Sequence, residues 1–396
     1  MAINNFSLTK IKVVLANLNA ILLFIGYTFY TSLIFGVKEN IEADGIRVFS
    51  IFYRAFALLV ALLVILLTFN YKRLKNQNIK LFFLIWFLFS CRILFDLFIR
   101  DSEISQSNTN YLFQIIFGGF LIPTIAIYKS RDFLDLKIIF KFTLVALLFV
   151  VSKGVILNLL LNLVGVRANM NIAQSTLTFG SFSGALFLYL FCILKSNNVK
   201  RKIKMLSFLL LPISIMGIVL AGSRGPLFGV FFTLLIINYS KNLISSIKFS
   251  IFIILFVVIF GNIFLSQVEY YAPLMYQRVY DTVVLSSLGG RESIFEEAIT
   301  QMFENPFLGD WFLLDRSDRT SIAHNALLQA GISIGVFGLI LNAYLYWILT
   351  VKSIKLINLN SIYSLWGYLT IYYIIYSLTT GGAIFFKYDF NFAFLI

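Results

Sequence analysis

Runs of about 20 apolar residues, each long enough for a helix to cross a membrane, recur along this chain. They lie near 13–36, 48–69, 79–99, 111–128, 142–163, 172–194, 205–221, 226–238, 249–265, 324–350 and 361–380. Lipid supplies no hydrogen-bond partners, so such runs must satisfy their own backbone groups and fold as helices. Charged residues make up only 13% of the chain, about half the share in soluble domains. A water-soluble globule is thereby excluded. The expected fold is an all-α polytopic bundle of 11–12 transmembrane helices. The twelfth would come from the tail GGAIFFKYDFNFAFLI. The first stretch, from Lys10 and Lys12 to about Gly36, reads as an uncleaved span. The 226–238 run is short, so its helix is expected to begin inside the membrane. With no linker and no internal repeat, residues 1–396 form a single integral membrane domain. Between the ninth and tenth spans a long loop covers residues 266–323.

The loops set an orientation. With the N-terminus inside, the inner segments are the N-terminal end and the loops near 70–80, 129–141, 195–204, 239–248 and 351–360. They hold 19 of the 32 basic residues and two acids, Asp132 and Asp135. This is the positive-inside pattern, so the net charge of +14 belongs to the inner face. It does not mark nucleic-acid binding, for no basic helix or stacking-aromatic module accompanies it. The inner cations are 16 Lys and three Arg, whereas the other 13 are ten Arg and three Lys. Orientation needs only positive charge. A preference for Arg on the outer side points to guanidinium geometry, which grips phosphate or carboxylate in a two-pronged fork. Ion pairing with the outer acids is the structural alternative.

Cys91 and Cys192 both lie in apolar runs, and no CxxC or His/Cys cluster occurs. Neither a disulfide framework nor a metal site or other cofactor is expected. Arg54, Arg92, Asp96 and Lys153 fall in the outer halves of their spans, where each charge costs roughly 2.5–3.5 kcal/mol. Arg92 and Asp96 are spaced i, i+4 and are expected to pair. Arg54 and Lys153 have no local partner, which leaves outward snorkelling or cavity lining open.

Polarity on the outer side gathers in four segments. VGVRANMNIAQS carries Arg167. LAGSRGPLFG carries Ser223 and Arg224 in a tight reversal, with Pro226 suited to the first turn of the next helix. The long loop carries Arg278, Arg291, Arg316 and Arg319. Its exit, SIAHNALLQAG, holds His324 and Asn325, and His324 is the only histidine in the chain. Within the loop, RESIFEEAITQMFENP places Ile294, Phe295, Ala298, Ile299, Met302 and Phe303 on one helical face. Glu292, Glu296, Glu297, Gln301 and Glu304 lie on the other. An amphipathic helix on the membrane surface or capping the bundle is expected. Arg291 at its start sits badly against the positive helix end, so an anionic partner, Glu or phosphate, is expected there. On the residues alone two readings of His324 stay open, a polar cap at a helix start or a base acting on a bound hydroxyl.

The ordered set of Arg in a short outer loop, GSRGP, GGRESIFEEAITQMFENPFLGD and AHNALLQAGISIGVFGLI resembles the O-antigen ligase and polymerase superfamily. The corresponding positions are Ser223-Arg224-Gly225, Gly290-Arg291 with Pro306 to Gly309, and His324-Asn325 through Leu328 to the Gly335 region. The match covers about residues 218–342, with the Arg167 segment matching more weakly. PFLGDWF, with Asp310 and Trp311, departs from that superfamily's P-x-x-G-x-G turn.

The resemblance implies a type C glycosyltransferase-like bundle in the bacterial inner membrane, N-terminus cytoplasmic and active site periplasmic, on the face of the long loop. It implies undecaprenyl-diphosphate-linked oligosaccharides as donor and acceptor, and chemistry without a metal. Arg167, Arg224 and Arg291 would bind the diphosphate, and His324 would be the base or hold the acceptor. Asn325, Ser223, Arg54, Arg278, Arg316 and Arg319 would support them. The expected activity is O-antigen polymerase, in lipopolysaccharide biosynthesis beside a chain-length regulator and a flippase. The alternatives are O-antigen ligase acting on lipid A–core and protein O-oligosaccharyltransferase. A lipid-glycan transporter or flippase is a further alternative, but the polarity sits at the outer rim and not near the midplane.

Overall fold

The structure is a computed structural model. It describes residues 2–36, 43–68, 77–99, 121–161, 175–241, 247–248, 251, 269–270, 273, 276–277, 280, 291–312, 323–359 and 361–380. All of the span expected near 249–265 except Ile251, the first part of the 111–128 run and the tail 381–396 lie outside them. Among the described residues there are helices and no strands. Seven helices are long and apolar enough to cross a membrane, and the chain is a multi-pass helical bundle.

In chain order the helices are α1 (Ala2–Ile21), a π-helical turn (Leu22–Gly26), α2 (Tyr27–Ile34), α3 (Ala43–Thr68), α4 (Gln77–Phe98), α5 (Ile122–Ser130) and α6 (Leu136–Leu160). There follow α7 (Thr176–Lys195), α8 (Arg201–Leu220), α9 (Arg224–Lys241), α10 (Arg291–Glu304), α11 (Ala326–Ile357) and α12 (Ser364–Thr380). The first rod departs from α-geometry for a local reason. Tyr53 of α3 donates its hydroxyl to the Leu22 carbonyl at 2.6 Å, and a methyl group at Gly26 would fall 2.3 Å from the same oxygen. Gly26 makes room for a hydroxyl that takes a ladder carbonyl, the kind of intrusion that unwinds a helix locally.

The centre of the bundle is α7 and α12. The α7 span is 72% buried, against 22–44% for the other six long helices. Lipid gives no hydrophobic drive for helices to associate, so close packing and hydrogen bonds must hold them. Tyr372 of α12 is inserted between α7 and α9, where a methyl group at Gly184 would fall 2.3 Å from its hydroxyl oxygen and one at Gly229 2.7 Å from its ring. Its hydroxyl donates to the Ser181 carbonyl at 3.1 Å. Tyr376 does the same to Leu177, also at 3.1 Å. At the periphery α3 and α8 turn large side chains outward, among them Phe52 and Leu66 at 66% and 74% exposed. That is the surface a bilayer would cover.

These contacts give the bundle two distinct ends. At one end α6 and α7 are joined by the Thr143–Tyr189 hydroxyl pair at 2.6 Å. The loop after α7 meets the start of α12, where Cys192 Sγ lies 3.8 Å from the Ser361 carbonyl. Lys137, Lys141, Lys195, Lys200, Lys352 and Lys355 gather at this end. The other end holds the start of α7, the turn between α8 and α9, and the C-terminal end of α12. Gly180 lies against Pro226 there, a methyl group at that glycine falling 2.8 Å from Pro226 Cγ.

Helix α11 is broken at Gly335, which has φ 72° and ψ −163°. A break inside a span frees backbone groups that must find partners. The turn after α10 supplies them. Val336 N–H donates to the Pro306 carbonyl at 2.7 Å, and Asp310 N–H donates to the Ile332 carbonyl at 2.7 Å. Gly309, at φ 73°, lies against the α11 backbone from Ile332 to Ile334, and Gly335 against Phe307 and Pro306. Two glycines thus allow a loop backbone to fill the gap in a membrane helix.

Candidate functional site

Four of the expected site residues lie at the end of the bundle away from the lysines. The helix before Gly222 terminates as that residue takes φ 57°. Ser223 follows with 2% exposure, and Arg224, half-buried, opens α9. The 226–238 run therefore belongs to a helix that begins at Arg224, two residues before the proline. Across from this turn, Asn325 Nδ2 donates to the Leu378 carbonyl at 3.2 Å, and α12 in turn packs on α9 and α7. Ser223, Arg224, His324 and Asn325 therefore share one end, opposite the lysine-rich one.

The cap at the start of α11 is Asn325, not His324. Asn325 Oδ1 accepts from Leu327 N–H at 2.9 Å and Leu328 N–H at 3.2 Å. That corrects the capping reading of the histidine, and it gives Asn325 a structural task. His324 is half-buried and has φ 52°. Asn, Asp and His are over-represented in that left-handed region, yet any non-glycine residue there is uncommon. Strained backbone of this kind clusters at functional sites when the surroundings enforce it.

Helix α10 caps this end by packing on α11. Ile294, Ala298 and Met302 meet Ala323, Leu328 and Ile332, and Gln301 is 6% exposed. One residue of the expected polar face is corrected by this: Gln301 has turned inward, its amide donating to Asp310 Oδ2 at 3.3 Å, while Ile299 and Phe303 of the apolar face stay exposed. Asp310 is thus the residue that ties α10 to the α11 break. Ser293, Glu296, Glu297, Thr300, Glu304 and Asp310 border an open hollow of about 390 Å³. Its carboxylates repel anions, so a diphosphate would not bind there; hydroxyl groups, which donate to carboxylates, suit it better.

The Arg92–Asp96 pair forms as expected, Nε to Oδ1 at 3.0 Å, and it also holds the loop. Asp96 Oδ2 accepts from Phe312 N–H at 2.7 Å, and Arg92 Nη1 approaches the Gly309 carbonyl at 3.4 Å. The ring of Phe312 meets Phe89 edge-on at 5.8 Å. Asp96→Asn keeps an oxygen for Phe312 but removes the charge that faces Arg92. Hydrogen bonds to charged groups are worth about 1.5–3 kcal/mol, and a loss of that order is expected in the detergent melting of the purified protein. An Asn variant with the wild-type melting point would mean the pair is dispensable.

Lys153 does not snorkel. Its ammonium donates to the Ser32 carbonyl and to the Phe35 carbonyl, the latter at 3.1 Å, capping the end of α2. Arg54 lines a cavity of about 40 Å³ with Asn19, the π-helical turn, Thr28, Tyr53 and Pro123. A water needs roughly 10–15 Å³, so two or three fit by volume. The cavity is built from the first rod, α3 and α5, and none of its lining residues contributes to the His324 end. Arg167, Arg278, Arg316 and Arg319 lie outside the described residues, as does the side chain of Arg291, the first residue of α10.

Sequence reasoning missed Gln329 and Ser333. Both are buried in α11 and both reach the Phe312 carbonyl, Ser333 Oγ at 3.0 Å and Gln329 Nε2 beside it. Gln329 Oε1 also accepts from Ala323 N–H at 3.0 Å. The available signal was two polar residues spaced i, i+4 within an apolar run, since polar groups inside a span need partners. Comparison of the chain with protein-family models, with characterised proteins and with solved structures found no match.

Proposed function

We propose that this protein is a metal-independent glycosyltransferase of the O-antigen ligase and polymerase type, acting as an O-antigen polymerase. It transfers a growing glycan from one undecaprenyl diphosphate onto the sugar of a new lipid-linked repeat unit. In this reading the bundle has 11–12 spans in the inner membrane of a bacterium. The lysine-rich end is cytoplasmic and the His324 end is periplasmic. The observation that supports the reading is the placement of Ser223, Arg224, His324 and Asn325 at the same end of the bundle, from turns about 100 residues apart in sequence.

The chemistry divides between two kinds of group. Fixed guanidinium groups stabilise the departing diphosphate as its charge develops. Arg224 supplies one at the start of α9, where the positive helix end adds to its field. Arg167 and Arg291 supply the others. His324 takes the proton from the acceptor hydroxyl or holds that hydroxyl for attack. The carboxylates beside α10 accept from further sugar hydroxyls. Because arginine replaces a cation at the leaving group, the reaction needs no metal.

The test is turnover of a lipid-diphosphate-linked repeat by the purified protein in detergent, with and without EDTA. A ladder of longer lipid-linked products, undiminished by the chelator, is the expected result. Transfer only to added lipid A–core would identify a ligase. Transport without covalent product, or activity that EDTA removes and a metal restores, would contradict the proposal.

A further inference from the structure

We propose that Gln329 is a positioning residue for His324, fixing the backbone on one side of the histidine while Asn325 fixes it on the other. The inference rests on the reading of His324 as the working group of this end. Three successive residues are involved. Ala323 is fully buried, and its N–H is held by Gln329 Oε1 at 3.0 Å. Asn325 is held twice, by capping α11 and by donating to the Leu378 carbonyl. His324 lies between these two fixed points at φ 52°. With both neighbours anchored, the backbone at His324 is restrained from both sides, and with it the direction of its Cα–Cβ bond.

Gln329 does more than hold one amide. Its Nε2 donates to the Phe312 carbonyl, whose residue is held at its N–H by Asp96. One carboxamide therefore ties the histidine's neighbour to the loop that seals the α11 break, and through it to α4. A carboxamide fits this place because it accepts with one end and donates with the other. Ser333 donates to the Phe312 and Gln329 carbonyls and accepts only a long contact from Gln329 Nε2 at 3.5 Å, so its loss leaves the Gln329 Oε1–Ala323 N–H bond in place. The two side chains can thus be separated by experiment.

The experiment exploits the lone histidine. Full-length protein labelled only at histidine with ¹³C and ¹⁵N gives one imidazole signal, that of His324. In Gln329→Met, which keeps the side-chain length without the polar atoms, the signal is expected to move and split. In Ser333→Ala, which leaves the Gln329 Oε1–Ala323 N–H bond intact, it is expected to stay in place. A signal unmoved in Gln329→Met, or moved equally in Ser333→Ala, would overturn the proposal. A measurement on unaltered protein guards against misfolding of the variant. The Ala323 amide is expected to resist hydrogen exchange as strongly as the α11 amides, and exchange at the rate of an open loop would equally overturn it. Turnover supplies the functional side, with kcat expected to fall at least tenfold in Gln329→Met at unchanged KM and to hold in Ser333→Ala. If the wild type turns over no lipid-linked glycan, the function proposal fails while the signal and the exchange rate still decide this one.

Discussion

Gly335→Ala should leave little folded protein. The residue has φ 72° and ψ −163°, a region that only glycine occupies readily, and strain of this kind costs roughly 1–3 kcal/mol. The new methyl group would also fall 2.4 Å from the Phe307 carbonyl oxygen and 2.6 Å from that of Pro306. Those are backbone atoms, so no side-chain rotation relieves the clash. Inserted carbon in a close-packed site adds about 1–3 kcal/mol. The sum consumes much of a typical folding stability of 5–15 kcal/mol. Relief requires the turn 306–310 to leave α11, which strips Val336 N–H and the Ile332 carbonyl of their partners. The measurement is the monodisperse fraction and melting point in mild detergent. A Gly335→Ala protein that melts with the wild type would show that the turn and the helix break are not interlocked. Gly309→Ala, on the other side of the same contact, is expected to fail in the same way.

The contrast with what the sequence disclosed is instructive. The long spans were legible because the bilayer imposes one length and one composition on every crossing helix, and that rule acts locally. The partners of polar groups were not legible, because they are remote. Lys153 caps a helix end 118 residues earlier, and Asp96 meets a backbone amide 216 residues later. Gln301 of α10 was misread for a related reason. A helical wheel counts Gln301 as a solvent residue, yet its partner Asp310 lies past the helix end and draws it inward. The physical coupling of Gly309 and Gly335 was not legible either. Gly309 and Gly335 belong to one joint, which no local pattern shows. His324 was ambiguous while it could be the helix cap, and only the Asn325 hydrogen bonds assign that task elsewhere.

That assignment makes the histidine testable without the usual confusion between folding and chemistry. His324→Gly is expected to fold at least as well as the wild type, because glycine adopts positive φ at no steric cost while Asn325 still caps α11. His324→Asn is expected to behave alike, since asparagine also tolerates that backbone region. Both variants remove the imidazole and keep the clamp around it. A positioned general base contributes about 10²–10⁴-fold to rate, so polymer from either variant should drop below detection in a glycan ladder, with protein level and melting point retained. If the imidazole only held the acceptor, His324→Asn, which can still donate and accept a hydrogen bond, would recover part of the rate and His324→Gly would not. Full-length glycan from His324→Gly would remove His324 from the mechanism and, with it, the reason for a strained residue at this point in the chain.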